Sequence, residues 1–198
     1  MLSYNESLKI LKETDALLEG HFILSSGLRS DQYIQCAKLL SYPKKAEIIC
    51  TSLTEKIKKS ISKIDIVLSP ALGGITVGYE IAKQLNTQTF FAERVDNKLV
   101  LRRGFVIPRD SNVLIVEDVI TTGKSALECS KIVKTNKANL VGFACIIDRS
   151  DNNVLIKEKI ISQIKVNIAV FRENELPDKL KKIPAIKPGS RNLSDDQN

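Results

Sequence analysis

An α/β fold built on a doubly wound parallel sheet is predicted by three observations. Between about residues 64 and 148, short apolar runs alternate with amphipathic helical patterns, the order that lays helices on both faces of a parallel sheet. The strand-like runs are continuously apolar, as strands buried on both faces are. Polar and glycine residues gather directly after them, at 70–74, 117–123 and 148–149. Ligands bind such sheets at the carboxyl ends of the strands, so these three loops are expected to meet in one site.

The elements follow in order. Ser3 or Asn5 caps a helix expected to run to about residue 18, with Leu8, Leu11 and Leu18 on its apolar face and Gly20 ending it. Residues 21–24 and 32–35 read as two short strands joined by a Ser25-Ser26-Gly27 turn. Pro43 starts a helix reaching about residue 59, with Ala46, Ile49, Leu53 and Ile57 on one face. A buried strand at 64–69, a loop at 70–74 and a helix at 75–85 come next, then a strand at 89–93 and a polar, hairpin-like stretch around Asp96-Asn97. The strand from Val113 leads through a loop into a helix over 124–135, and strands are expected at 140–147 and 164–170. Beyond Glu173 the chain is polar and contains proline, a tail laid over the rest. The expectation is one domain over 1–198: a hood over about 1–40, a core over 41–172 and the tail over 173–198.

Composition narrows the functional classes. The chain has 198 residues, 43% hydrophobic and 27% charged, as ordinary water-soluble domains have. No apolar run approaches a membrane span, and MLSYNESLKI lacks a basic segment followed by an apolar one, so a cytoplasmic location without membrane contact is expected. The four cysteines form no CxxC pair and the single His21 cannot complete a zinc set. Cys129 and Cys145 fall on apolar faces and read as small core residues of a reducing compartment. The net charge of +7 is carried mainly by lysines on helix faces. Aromatics make up only 5% and do not alternate with basic residues, which disfavours nucleic acid as a partner; a polyphosphate substrate accounts for the mild positive excess.

The richest segment is VLIVEDVITTGKS, residues 113–125. Four apolar β-formers run into the acids Glu117 and Asp118, then Thr121, Thr122 and Gly123, and a helical pattern opens at Lys124-Ser125. The Thr/Gly turn and the N–H groups after it suit a phosphate at a helix N-terminus. Two acids beside that phosphate suit sugar hydroxyls or a metal, and together they describe a site for a phosphorylated ribose. Gly123-Lys124-Ser125 also matches the end of a Walker A loop, but that loop needs glycine where Asp118 stands, and a carboxylate there repels a triphosphate.

This segment resembles the signature of the type I phosphoribosyltransferases. The likeness extends in order through FILSSGLRSDQY (22–33), PALGGITVGYEIA (70–82), FAER (91–94), LRRGF (101–105), EDVITTGKS (117–125), DRS (148–150) and KPGSR (187–191), a set similar to the orotate phosphoribosyltransferases. The resemblance implies the type I phosphoribosyltransferase fold with a small N-terminal helix/strand hood. It also implies Mg²⁺-dependent transfer from phosphoribosyl pyrophosphate to orotate, giving orotidine 5-monophosphate and pyrophosphate on the way to UMP. Mg²⁺ is then held mainly by substrate oxygens, with no metal site made by the protein alone.

Carried over by position, Glu117 and Asp118 take the ribose hydroxyls, and Val119, Ile120, Thr121, Thr122, Gly123, Lys124 and Ser125 wrap the 5-phosphate. Ala71, Leu72, Gly73 and Gly74 match the pyrophosphate loop, where many members carry a Tyr-Lys pair at Leu72 and Gly73. Ser25 replaces a lysine common in relatives. The remaining cations, Arg94, Lys98, Arg102 and Arg103, lie in the segment matching the mobile catalytic loop. Lys98, Asp118 and Arg94 are the expected catalytic residues. Thr121, Arg149, Tyr33 and Ser26 are the expected orotate contacts, and Ile34 replaces an aromatic residue that flanks the base in many members. Arg149 also has an independent rationale: orotate differs from uracil by a carboxylate, which a guanidinium fork grips with two hydrogen bonds. His21 reads as a packing residue. Relatives deliver the catalytic loop across a dimer interface, so a homodimer with shared active sites is expected. The rival readings are transfer to a purine base or uracil, and a non-enzymatic nucleotide-sensing regulator on the same fold.

Overall fold

Val113, Leu114, Ile115 and Val116 are all fully buried, and their alternation divides the core in two. Leu114 and Val116 pack with Ile49, Leu53, Val77 and Ile81 on one face of the sheet. Val113 and Ile115 pack with Ala126, Cys129, Val133 and Phe143 on the other. The computed structural model describes residues 1–24, 26–151 and 154–188. Ser25 and residues 189–191 of the KPGSR segment lie outside the described residues.

The main sheet has six strands in the order β5-β4-β3-β6-β7-β8. These are β3 (Ile66–Pro70), β4 (Gln88–Val95), β5 (Lys98–Leu101), β6 (Asn112–Ile120), β7 (Asn139–Asp148) and β8 (Ile160–Lys165). All neighbours are parallel except the β4–β5 hairpin at the edge. Helices α3 (Pro43–Ser60) and α4 (Gly73–Leu85) cover one face, and α5 (Lys124–Thr135) covers the other. A second, antiparallel sheet joins β1 (Leu17–Ile23), β2 (Arg29–Ile34) and β9 (Val170–Phe171). With α1 (Tyr4–Glu13) and α2 (Cys36–Leu40), β1 and β2 form the hood.

Several boundaries depart from the sequence expectations. Ser3 caps α1 through a reciprocal capping box with Glu6, but the helix stops at Glu13. Thr14 turns its hydroxyl back to the Ile10 carbonyl (2.9 Å) and Asp15 adopts a positive φ of 53°. Leu17 and Leu18 then pair with Ile34 and Tyr33, so Leu18 and Gly20 lie in a strand. Helical spacing of leucines yields here to strand pairing that the local sequence does not announce. The strand expected at 164–170 is likewise split: β8 ends at Lys165 and the chain crosses to the hood as β9. β6 reaches Ile120, because the acids stay in register with β7 through Glu117↔Cys145 and Ile120↔Asp148. Beyond β9 the chain forms a short helix α6 (Asp178–Lys181), and Ile186 bridges to β1 beside Phe22. His21 is buried and its Nδ1 meets the Ile183 carbonyl at 3.0 Å, a packing role. All four cysteines are buried and free. No helix among the described residues is long and apolar enough to cross a membrane.

Candidate active site

The three loops expected to converge follow the adjacent strands β3, β6 and β7. Two of them touch: a Cβ added to Gly73 would lie 2.6 Å from Asp118 Oδ2. The third is tied in by the Arg149 N–H, which donates to the Ile120 carbonyl at 2.8 Å.

Glu117 and Asp118 are neighbours on a strand, so their side chains leave opposite faces. Asp118 points toward α4 and lies against Gly73, half-buried; burial raises its pKa above the usual carboxylate value. Glu117 points toward α5, accepts from the Ala126 N–H and leaves Oε1 buried without a hydrogen-bond partner among the described residues. Burial, reinforced by the Asp118 charge, pushes Glu117 up to about 8. Burial and the neighbouring charge thus favour the protonated form of Glu117 near neutral pH.

Thr121 and Thr122 are exposed and Gly123 turns the chain into α5 at a φ of +76°. A Cβ at Gly123 would meet Ile156 Cδ1 at 2.7 Å, so close packing as well as backbone conformation calls for glycine. Leu155 secures the loop from outside, its N–H donating to the Thr122 carbonyl at 2.9 Å. No side chain caps α5 at Gly123, and none caps α4 at Leu72. Two helix N-termini thus offer N–H groups to anions around one pair of carboxylates. In the loop before α4, the Ala71 N–H donates to the Ala92 carbonyl, Leu72 is exposed and Gly74 is buried close under Val116. Lys124 is exposed at the α5 start and Ser125 is half-buried. Val119 packs against the core and Ile120 is buried, so both serve the loop through their backbone.

Beside this loop lies a cavity of about 350 Å³ lined by Thr121, Thr122, Arg149, Ser150, Asp151, Asn167, Ile168 and Val170. Arg149 does not pair with Asp148. Asp148 instead accepts from the Ser150 N–H at 2.8 Å and approaches Lys165 Nζ at 3.6 Å. Arg149 Nε is buried without a hydrogen-bond partner among the described residues. Burial pulls its pKa down, against the influence of Tyr33, so the surroundings penalise the charge of Arg149. Tyr33 is half-buried with its ring 5.7 Å from that of Phe22. Ser26 is exposed in the β1–β2 turn and, like Tyr33, does not line the cavity. Ile34 is buried and packs in the core. Asn167, Ile168 and Val170 are cavity residues that sequence reasoning did not find; no periodicity or motif marks the segment that crosses from β8 to β9.

The four basic residues of the hairpin region divide into two kinds. Arg103 grips Glu93 with Nε and Nη2 at 3.1 and 2.8 Å. Arg94 pairs with Glu128 of α5 at 3.0 Å. Lys98 and Arg102 make no ion pair among the described residues, and Lys98 lines a groove of about 800 Å³ shared with Lys124.

No cluster of three metal-ligating side chains occurs among the described residues. Glu117 and Asp118, with one buried oxygen unsatisfied, fit a cation only in company with oxygens brought by a substrate.

Residues 40–176 match the family model of the phosphoribosyl transferase domain. The orotate phosphoribosyltransferase of Caldicellulosiruptor saccharolyticus is 48% identical over 186 residues, 94% of this chain and 96% of that one. That of Caldanaerobacter subterraneus subsp. tengcongensis is 42% identical over 94% of this chain and 97% of its own. The crystal structure of orotate phosphoribosyltransferase from Aeropyrum pernix superposes with a TM-score of 0.68 at 23% identity, covering 80% of this chain and 92% of that one, and shows the shared fold. Two uncapped helix N-termini, a carboxylate pair at the strand end and sequence identity over nearly the whole chain lead to one conclusion: this chain belongs to the orotate phosphoribosyltransferases of the phosphoribosyl transferase domain family.

Proposed function

We propose that this protein transfers the phosphoribosyl group of phosphoribosyl pyrophosphate to orotate, giving orotidine 5-monophosphate and pyrophosphate, the penultimate step to UMP. The observation that carries the reading is the half-buried Arg149 in the cavity beside Thr121, its Nε buried without a hydrogen-bond partner among the described residues. A purine or uracil has no carboxylate for that cation, and burying it without an anion costs free energy.

In this reading the 5-phosphate sits on the N–H groups of residues 121–125, and the ribose hydroxyls face Glu117 and Asp118. The pyrophosphate lies over residues 71–74, where Gly73 and Gly74 allow the backbone to approach. Orotate enters the cavity with its carboxylate on Arg149, and the Tyr33 side of the hood closes over it with Ser26 at the rim. As a ring nitrogen of orotate bonds to the anomeric carbon and loses its proton to the departing pyrophosphate or to water, the bond from that carbon to the pyrophosphate oxygen breaks. Positive charge develops on the ribose near the carboxylates, and negative charge on the leaving pyrophosphate near Lys98, Arg94, Arg102 and Arg103. Mg²⁺ carried on the substrate oxygens would offset charge on the pyrophosphate. No enzyme nucleophile is required; positioning and electrostatics supply the acceleration. The protein acts as a cytoplasmic homodimer in which the basic hairpin serves a shared site.

The test is incubation of the protein with Mg²⁺, phosphoribosyl pyrophosphate and, separately, orotate, uracil, adenine and hypoxanthine, with nucleotide formation followed by chromatography. Orotidine 5-monophosphate from orotate alone is expected. Nucleotide from uracil or a purine, with none from orotate, refutes the acceptor assignment.

A further inference from the structure

The hairpin that carries Lys98 is a weak element by itself. Its ladder runs only from Ala92↔Leu101 to Val95↔Lys98, at the sheet edge, and a two-stranded ribbon is marginal in water. Its turn, Asp96-Asn97, has positive φ at both residues (47° and 61°), the geometry of a tight two-residue connection. Leu99 buries its side chain in the core beside α5, and among the described residues one polar side chain from outside the hairpin ties down its backbone. Glu128, on α5, accepts from Arg94 Nη1 at 3.0 Å and Nη2 at 3.5 Å, and from the Leu99 backbone N–H at 3.3 Å. Arg94 Nη1 also donates to the Asn97 carbonyl at 2.7 Å. A single carboxylate thus holds the strand before the turn, the strand after it and, through Arg94, the turn itself.

We propose that Glu128 is a positioning residue that latches the basic hairpin to the phosphate-loop helix and thereby sets where Lys98 stands. This rests on the proposed function only in taking Lys98 as a working cation. Glu128 follows Lys124 by four residues, so both lie on one face of α5, directly behind the loop that receives the 5-phosphate. Lys98 precedes the latched Leu99 N–H, and Lys98, Lys124, Glu128 and Lys131 line the same groove. The Glu128 side chain is 19% exposed, so its hydrogen bonds are better shielded than those of a surface pair. Arg94 is thereby occupied with holding the hairpin, while Lys98 remains available to an anion. The latch also separates two kinds of site residue. Arg149 and Thr121 sit in the cavity beside β7, so loss of Glu128 acts on the pyrophosphate side and spares the orotate side.

Two measurements on the full chain test this. Without ligand, Glu128→Ala should raise the hydrogen-exchange rate of the Leu99 amide about tenfold or more, the scale of one lost charge-assisted hydrogen bond. Glu128→Gln, whose amide oxygen still accepts from Leu99, should give a smaller rise, and it serves alone if the alanine variant does not fold. Unchanged exchange in both variants overturns the latch. In turnover, both Glu128 variants should lower kcat without raising the KM for orotate. Combined with Lys98→Ala they should add no further loss, because one route is already broken. Independent, multiplying losses overturn the positioning role and leave a merely structural one, as does a Lys98→Ala enzyme with wild-type turnover. If the wild type makes no nucleotide from orotate, the acceptor assignment alone has failed. The exchange arm stands, and the combined variants are then compared with the base that does react.

Discussion

Glu117 makes the stability of this protein fall as pH rises through neutrality. Its carboxyl has an ordinary value of 4.5 and is pushed up to about 8 in the fold. Between those values the folded state binds more protons than the unfolded chain, so stability is fully present below pH 4.5 and declines until the folded group has ionised. At about 1.4 kcal/mol per unit, the rise from 4.5 to about 8 sets a ceiling of roughly 5 kcal/mol. Relaxation and water entry around the ionised group reduce this to roughly 2–3 kcal/mol. Asp118 is raised by burial too and acts in the same direction. The exposed acids Glu6, Glu13, Glu19, Glu55, Glu93 and Asp178 have lowered values, so their contribution is lost on the acid side and leaves a window above about pH 5.5 clear. The assay is urea unfolding at pH 6.0, 7.0 and 8.5, monitored by circular dichroism. Only about half of the Glu117 total is lost between pH 6.0 and 8.5, so with a slope of about 2–3 kcal/mol per molar the wild-type midpoint should fall by roughly 0.5 M across that range. Glu117→Gln, neutral at every pH and nearly isosteric, should remove most of the decline and be the more stable protein at pH 8.5, while losing turnover. A wild-type midpoint that is flat or rises, or a glutamine variant with the same decline, refutes the assignment of a protonated Glu117.

Arg149→Ala should raise the KM for orotate about 10- to 150-fold, the worth of one charge-assisted contact, and leave the KM for phosphoribosyl pyrophosphate nearly unchanged; equal losses for both substrates would make Arg149 structural. Gly73→Ala places a Cβ 2.6 Å from Asp118 Oδ2 and must displace that carboxylate, so turnover should fall at least about tenfold while thermal unfolding shifts by only a few degrees; wild-type turnover would show that Asp118 tolerates displacement. Asp118→Asn should cut turnover far more than stability, as read by steady-state rates beside thermal melts, and near-normal activity removes Asp118 from the mechanism. Mixing Asp118→Asn with Lys98→Ala subunits should restore about a quarter of wild-type activity if the hairpin serves the partner's site, and none if it serves its own.

The parallel sheet, its helices and the convergence of three loops were legible in the sequence, because continuous apolar runs and helical periodicity are local records of burial on two faces. The strand-turn-helix of EDVITTGKS was legible for the same reason: it is a contiguous backbone structure, and the positive φ of Gly123 is set within the segment itself. What only the tertiary structure decided came from contacts between distant segments. Leu18 has helical spacing, yet it pairs with Tyr33 across the hood, because a positive φ at Asp15 and a partner strand outweigh weak local propensity. The opposite facing of Glu117 and Asp118 follows from β6 running two residues beyond the acids in register with β7. The raised pKa of Glu117 follows from its burial against α5. Arg149 could be named from chemistry, but its separation from Asp148 depends on Lys165 and the Ser150 N–H taking that carboxylate. The division of the hairpin cations depends on Glu128, a residue that in the sequence is one more acid on an amphipathic helix. Burial patterns are written in neighbours along the chain; pairing, protonation and the choice of partner belong to groups that only the folded protein brings together.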